Sequence, residues 1–177
     1  MMYKHFSESE LEILKQRARR IERAARADTN EGLREALLVN IERETYAIPV
    51  DSIRAVYRDL PITALPQTPE RVAGIVNLRG RIATVMNLGI ILGVDSEVDP
   101  NRNTVVVTSN GDYEVGLAVD YSNHMVAVNV ADLNAVNTMI ELTKDEYVAG
   151  VLADGTVLLD VEAILNDSDF LVNQEER

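Results

Sequence analysis

The spacing of apolar residues changes once along this chain. Leu11, Leu14, Ala18, Ile21 and Ala25 recur at intervals of three and four, which predicts a helix with one narrow apolar stripe. Ser7 is a suitable N-cap, Glu10 completes a capping box, and Phe6 and Leu11 stand where a hydrophobic staple would join them across the cap. Basic residues from Lys15 to Arg26 gather toward the helix C-terminus, where they complement its dipole. The stretch Asp28-Thr29-Asn30-Glu31-Gly32 ends the element. Residues 1–30 are therefore expected to form a helical extension, and residues 31–177 the body.

From Glu35 onward the period is two. Leu37 to Ile41 and Glu44 to Val50 read as a hairpin around Glu42-Arg43. Further strands are predicted at Ile53 to Tyr57, Ala73 to Leu78, Ile82 to Met86, Thr104 to Thr108, Tyr113 to Val119, Met125 to Val130, Val148 to Ala153 and Thr156 to Leu159. Gly, Asn, Asp or Pro punctuates almost every gap, as at Asn110-Gly111-Asp112 and Asp154-Gly155. Short helical turns are expected at Leu88 to Leu92 and Val161 to Leu165. Many short strands with brief connections predict a barrel or sandwich rather than a βαβ sheet.

A duplication runs through the body. Val72-Ala73-Gly74-Ile75 resembles Val148-Ala149-Gly150-Val151, and each copy continues through a glycine turn (Gly80, Gly155) into a strand and a leucine-containing helical turn. Pro49-Val50-Asp51-Ser52 has a looser echo in Ala118-Val119-Asp120-Tyr121. Two similar half-barrels are the expectation.

Charge narrows the partners. The formal net charge is −12, yet residues 1–30 hold seven basic and five acidic side chains, leaving ten basic and 24 acidic in the rest. A body at −14 repels phosphate backbones and anionic lipid, which disfavours a nucleic-acid-binding barrel and a membrane surface. Two Phe and no Trp also leave few bases' worth of stacking surface. Cysteine is absent, which excludes disulfides and thiolate chemistry. No run of about 18 apolar residues or export signal is read, so the expected location is the cytoplasm.

Chemistry-bearing constellations are missing. His5 and His124 have no orienting partner that the sequence specifies. Asp154 to Asp160 and Asp167 to Asp169 read as turn and solvated-face carboxylates without calcium-loop spacing. The glycines at 74, 80, 89 and 93 form no phosphate-binding pattern. No enzyme activity, metal or cofactor is expected. What stands out is Gly74-Ile75-Val76-Asn77-Leu78-Arg79-Gly80, a strand ending in an arginine before a glycine free to take positive φ.

The surroundings of that segment resemble the CheW family. Tyr46-Ala47-Ile48-Pro49-Val50 is similar to the family's opening strand. Leu65-Pro66-Gln67-Thr68-Pro69 followed by Val72 to Gly80 resembles its best-known motif, a proline-flanked loop leading into G-x-x-N-L-R-G. Val115 to Asp120 and Val148 to Val151 are similar to two further signatures, and the blocks stand in order over about residues 33–166. The resemblance implies a mainly β protein with two SH3-like five-stranded barrel subdomains sharing a core. It also implies a non-enzymatic adaptor that joins the cytoplasmic tip of a methyl-accepting chemoreceptor to the regulatory domain of a CheA-type histidine kinase, with an alternative chemosensory or type IV pilus pathway as the other setting.

Carried over residue by residue, the implied partner-binding positions are Ile53, Gly74, Asn77, Leu78 and Arg79, with Gly80 as the structural turn. Ile53 and Leu78 would supply apolar contact, Gly74 close backbone approach, and Arg79 a bond to a receptor carboxylate or the orientation of the loop. Three positions depart from the pattern. Many relatives carry a Glu, able to pair with the motif arginine, where this chain has Ala55; the family's usual Pro and Asp after the motif are Thr84 and Asn87.

Overall fold

The computed structural model describes residues 32–109, 114–134 and 145–167; the helix expected over residues 1–30 lies outside them. Contacts divide the chain between Leu33 and Arg34. Ten strands follow one another: β1 (Leu33–Ile41), β2 (Glu44–Pro49), β3 (Ile53–Arg58), β4 (Val72–Leu78), β5 (Arg81–Asn87), β6 (Thr104–Ser109), β7 (Glu114–Val119), β8 (Tyr121–Asn129), β9 (Val148–Val151) and β10 (Val157–Leu159). Two five-residue helices, α1 (Leu88–Leu92) and α2 (Val161–Leu165), occupy the positions expected from the sequence. The strands make two five-stranded sheets, ordered β8-β1-β2-β10-β9 and β3-β6-β7-β5-β4.

These orders show how the duplication is used. The first repeat runs from β1 to α1 and the second from β6 to α2. Each sheet takes the opening hairpin of one repeat and the three later strands of the other. Parallel ladders make two of the joins, β10 on β2 with Val157 opposite Tyr46, and β5 on β7 with Val85 opposite Gly116. The two-barrel expectation holds, but a barrel is not a repeat: the halves are interleaved. No ladder joins β1–β2 to β4–β5, so each hairpin finds its neighbours in the other copy.

Interleaving explains the apolar pattern. The largest cluster lies between the sheets and takes Leu37, Val39 and Ile41 from β1, Tyr46 and Ile48 from β2, Val115, Leu117 and Val119 from β7, and the apolar sides of both helices. The opposite faces of these strands line the barrel interiors. Ala36, Ala47, Val128 and Leu158 fill one, while Val76, Leu78, Val85, Val105 and Val107 contribute to the other. A strand buried on both faces loses the in–out alternation of a half-exposed strand. Thus Val105-Val106-Val107 is buried throughout, with Val106 in the shared core and its neighbours inside the barrel.

The repeated Val-Ala-Gly block also acquires a reason. In each copy, the segment before the strand crosses it and makes a single bridge, Thr63 to Ile75 in one and Asn134 to Val151 in the other. A Cβ on Gly74 would stand 2.3 Å from the Thr63 carbonyl oxygen, and one on Gly150 would stand 2.9 Å from Leu133 Cβ. Gly74 additionally has φ +145°, at the irregularity between Val72 and Gly74 in the β4–β5 ladder. Two equivalent glycines therefore leave room for two equivalent crossings.

Strand ends differ modestly from expectation. β1 begins at Leu33 instead of Leu37, and β8 at Tyr121 instead of Met125. Pairing of β1 with β2 stops at Ala36 opposite Pro49, and β8 is the neighbour of β1 on the other side. Such pairing leaves no mark in hydropathy. Conversely, Val50 leaves the strand for a 3₁₀ turn over Val50–Ser52, and β9 ends at Val151, two residues before the predicted limit.

Candidate functional site

The β4–β5 hairpin carries the singled-out segment to its tip. Leu78 pairs with Arg81, which leaves Arg79-Gly80 as a two-residue turn. Both have positive φ, 54° and 90°. That is the dihedral signature of a type I′ turn, whose twist matches a right-handed hairpin and whose usual sequence is Asn-Gly or Gly-Gly. An arginine in the first central position is unusual, because a Cβ costs about 1 kcal/mol or more in the left-handed region. Asn77 offsets part of this: its Oδ1 accepts a 2.7 Å hydrogen bond from the Gly80 backbone N–H.

The turn projects Arg79 away from the fold. It is exposed, and among the described residues no hydrogen-bond acceptor or carboxylate pairs with it. Ala55, which stands where the family resemblance implies a glutamate in many members, is half-buried against the core of the barrel. Its neighbour Arg81 is engaged instead, with a guanidinium nitrogen 2.9 Å from Glu114 at the start of β7. The hairpin tip thus presents a cation whose side-chain hydrogen-bonding capacity is unused among the described residues.

The other site residues fall into different surroundings. Leu78 is 7% exposed and packs inside the barrel, so its apolar side chain serves the fold. Gly74 is buried, and its close approach is to Ile62 and Thr63 of this chain. Ile53 is half-buried at the start of the edge strand β3, packed against the shared core. Asn77 is exposed on the outer side of the hairpin. Of the five, Arg79 and Asn77 are brought together at one accessible place, with Gly80 completing the turn.

One surface residue escaped the sequence reading. Ile82 is 66% exposed, directly across the hairpin from Asn77, with Thr84 and Ile75 as the next pair along the same face. An apolar side chain so open beside an unpaired cation is a natural anchor for a partner. The signal was present: alternation in β5 buries Ala83 and Val85 and so must turn Ile82 and Thr84 outward.

Asn87, the third departure, ends β5 and begins α1. It is 5% exposed. Its Oδ1 accepts from the Ile90 N–H at 3.2 Å, capping the helix, while its Nδ2 donates to the Ser96 carbonyl at 2.7 Å. A carboxylate could cap but could not donate to Ser96. Asp160 caps α2 in the same way, through Ala163 N–H at 2.9 Å.

The described residues hold no group of three or more His, Cys, Asp or Glu able to bind a metal, and no helix among them is long and apolar enough to cross a membrane. His124 is exposed on β8. In the β9–β10 turn, hydrogen bonds from Thr156, backbone first, hold the Asp154 carboxyl below its usual value.

Comparison with known proteins agrees with this architecture. The family model described as "CheW-like domain" matches residues 35–169. A chemotaxis protein CheW of Thermotoga maritima is 30% identical over 135 residues, covering 75% of this chain and 88% of that protein. The sensor histidine kinase CheAY of Helicobacter pylori is 26% identical over 135 residues, which are 75% of this chain and only 16% of the kinase. Among solved structures, the scaffolding protein TtCheW of Thermoanaerobacter tengcongensis superposes with a TM-score of 0.65 at 20% identity, covering 76% of this chain and 93% of that one.

Proposed function

Because the chain belongs to the CheW-like domain family, we propose that it is a non-enzymatic adaptor that couples a chemoreceptor to a CheA-type histidine kinase. The carrying observation is that the match extends along nearly the whole of a chemotaxis protein CheW and also onto one segment of a sensor histidine kinase. A domain type present in both a kinase and a separate protein suits pairing of like with like, while leaving a second surface for the receptor. An adaptor of this kind works in the cytoplasm and is recruited to receptor arrays by its partners.

The outer face of the β4–β5 hairpin is the receptor-binding surface in this reading. Arg79 bonds a receptor carboxylate, a charge-assisted contact worth more than a neutral hydrogen bond, and Asn77 and Ile82 flank it. Gly74, Leu78 and Gly80 hold the hairpin in shape, and Ile53 lends its exposed part. The absence of a glutamate at Ala55 leaves the arginine available for a partner from outside. The test is a pull-down with a receptor cytoplasmic fragment and with the kinase regulatory domain. Wild type binds both, and Arg79→Ala loses receptor binding by about tenfold or more while keeping the kinase, as removal of one charge-assisted contact predicts. Equal receptor binding by the two proteins would remove Arg79 from the site.

A further inference from the structure

The pairing of the strands sorts by repeat. Within a repeat the ladders are β1–β2 and β4–β5, or β6–β7 and β9–β10, all antiparallel hairpins. Between repeats they are β1–β8, β2–β10, β3–β6 and β5–β7. A single repeat therefore owns two hairpins with no ladder between them, and isolated hairpins are marginal in water. Each repeat is the template on which the other folds, as two subunits of an obligate dimer would be, except that one chain supplies both.

The covalent link between these halves runs from the end of α1 at Leu92 to the start of β6 at Thr104, and its stretch beyond the core residue Val94 is residues 95–103. Its hydrogen bonds run to the first repeat: Ile62 N–H donates to the Pro100 carbonyl at 2.9 Å, Asp59 N–H to the Asn103 carbonyl at 2.8 Å, and Asn103 Nδ2 to the Leu60 carbonyl at 3.1 Å. Asn87 Nδ2 reaches the Ser96 carbonyl. These bonds fold the connection back against its own repeat. Released, nine residues span at most about 30 Å, far enough to pass from one lobe to an adjacent one.

We propose that the two repeats are exchangeable between copies: two chains can pair the first repeat of each with the second repeat of the other, forming a dimer of two native lobes joined through residues 95–103. Each ladder of the monomer is remade in such a dimer, and only the connection changes its path, which is the condition for domain swapping. The dimer presents two Arg79 turns on one particle, a bivalent form of the same surface. The inference rests on topology alone and stands independently of the adaptor reading.

Complementation between two full-length chains tests it. Ile48→Asp places a carboxylate in the shared core from the first repeat, and Leu159→Asp does so from the second; both positions are fully buried, so each chain alone is expected not to fold. Unfolded together and refolded, the pair can build one lobe free of either substitution. The expected result is a one-to-one dimer with native β circular dichroism in one lobe of two, half the wild-type signal per chain. The chain carrying both substitutions gives none. Leu88→Asp and Leu117→Asp, also fully buried, replace the first pair if either single variant folds alone. A mixture as unfolded as its separate components, or a native signal in any species other than the one-to-one dimer, overturns the proposal.

Discussion

Changing Asn87 to aspartate, the residue the family resemblance implies at this position, should destabilise this chain. The side chain is buried and uses both ends, one as acceptor from the Ile90 N–H and the other as donor to the Ser96 carbonyl. Asn87→Asp retains the cap and gains a few tenths of a kcal/mol from the dipole of the short helix. Against that, it loses a hydrogen bond worth about 1 kcal/mol and leaves the Ser96 carbonyl without its donor, about 1–3 kcal/mol more. It also sets a carboxylate oxygen against that carbonyl at the present 2.7 Å contact. The net loss is about 3 kcal/mol at neutral pH, which for a domain of this size is a fall of roughly 6–12 °C in Tm.

The pH dependence separates this cause from simple loss of packing. Burial and a facing acceptor raise the folded-state pKa of the introduced carboxyl above its unfolded value of about 3.9. Protonated, the group can donate to Ser96 as the amide does. The difference from wild type should therefore be smallest below about pH 4 and grow as pH rises through the folded pKa. Urea titrations followed by circular dichroism at pH 4 and pH 8 measure it. A difference under about 0.5 kcal/mol at pH 8, or one that is the same at both pH values, would refute the reasoning.

Further outcomes follow from four single positions. Gly74→Ala should cost about 3 kcal/mol or more, since a Cβ meets the Thr63 backbone and φ is +145°; Gly150→Ala, facing the Leu133 side chain, should lower the melting temperature less. Arg79→Gly should raise stability by up to about 1 kcal/mol by relieving the left-handed turn while weakening receptor binding, a combination visible by thermal melts beside pull-downs. Asp154 has a depressed pKa, so its contribution is present above about pH 3.8 and is lost as pH falls through the folded value. Asp154→Asn should flatten that acid limb in a pH series of melting temperatures, and an unchanged limb would assign it to other carboxylates.

Much of the fold was legible because its local signals agree. Strand positions, both helical turns and the turn glycines could be read from apolar runs bounded by Gly, Asn and Asp. The duplication was visible in Val72 to Ile75 and Val148 to Val151. The interleaving was not, because the choice of β10 rather than a strand of the first repeat as the partner of β2 is made by tertiary pairing, and both are apolar. Within the segment read as the site, the fold separates side chains that the sequence places side by side. Leu78 and Asn77 are adjacent in sequence, and strand alternation sends one into the barrel and the other outward. Ile82 was passed over since an exposed isoleucine looks like any core isoleucine in a sequence. The Asn87 donor to Ser96 spans nine residues and depends on the loop's path, which residue types do not encode.

The most direct test of the adaptor account is ternary assembly: whether this chain brings a receptor cytoplasmic fragment and a kinase regulatory domain, which do not bind each other under the same conditions, into one complex. Size-exclusion chromatography with light scattering would detect it. The account predicts that all three components co-elute and that omitting this chain separates the other two. A correctly folded chain that binds neither partner, or that binds one only by excluding the other, would contradict it.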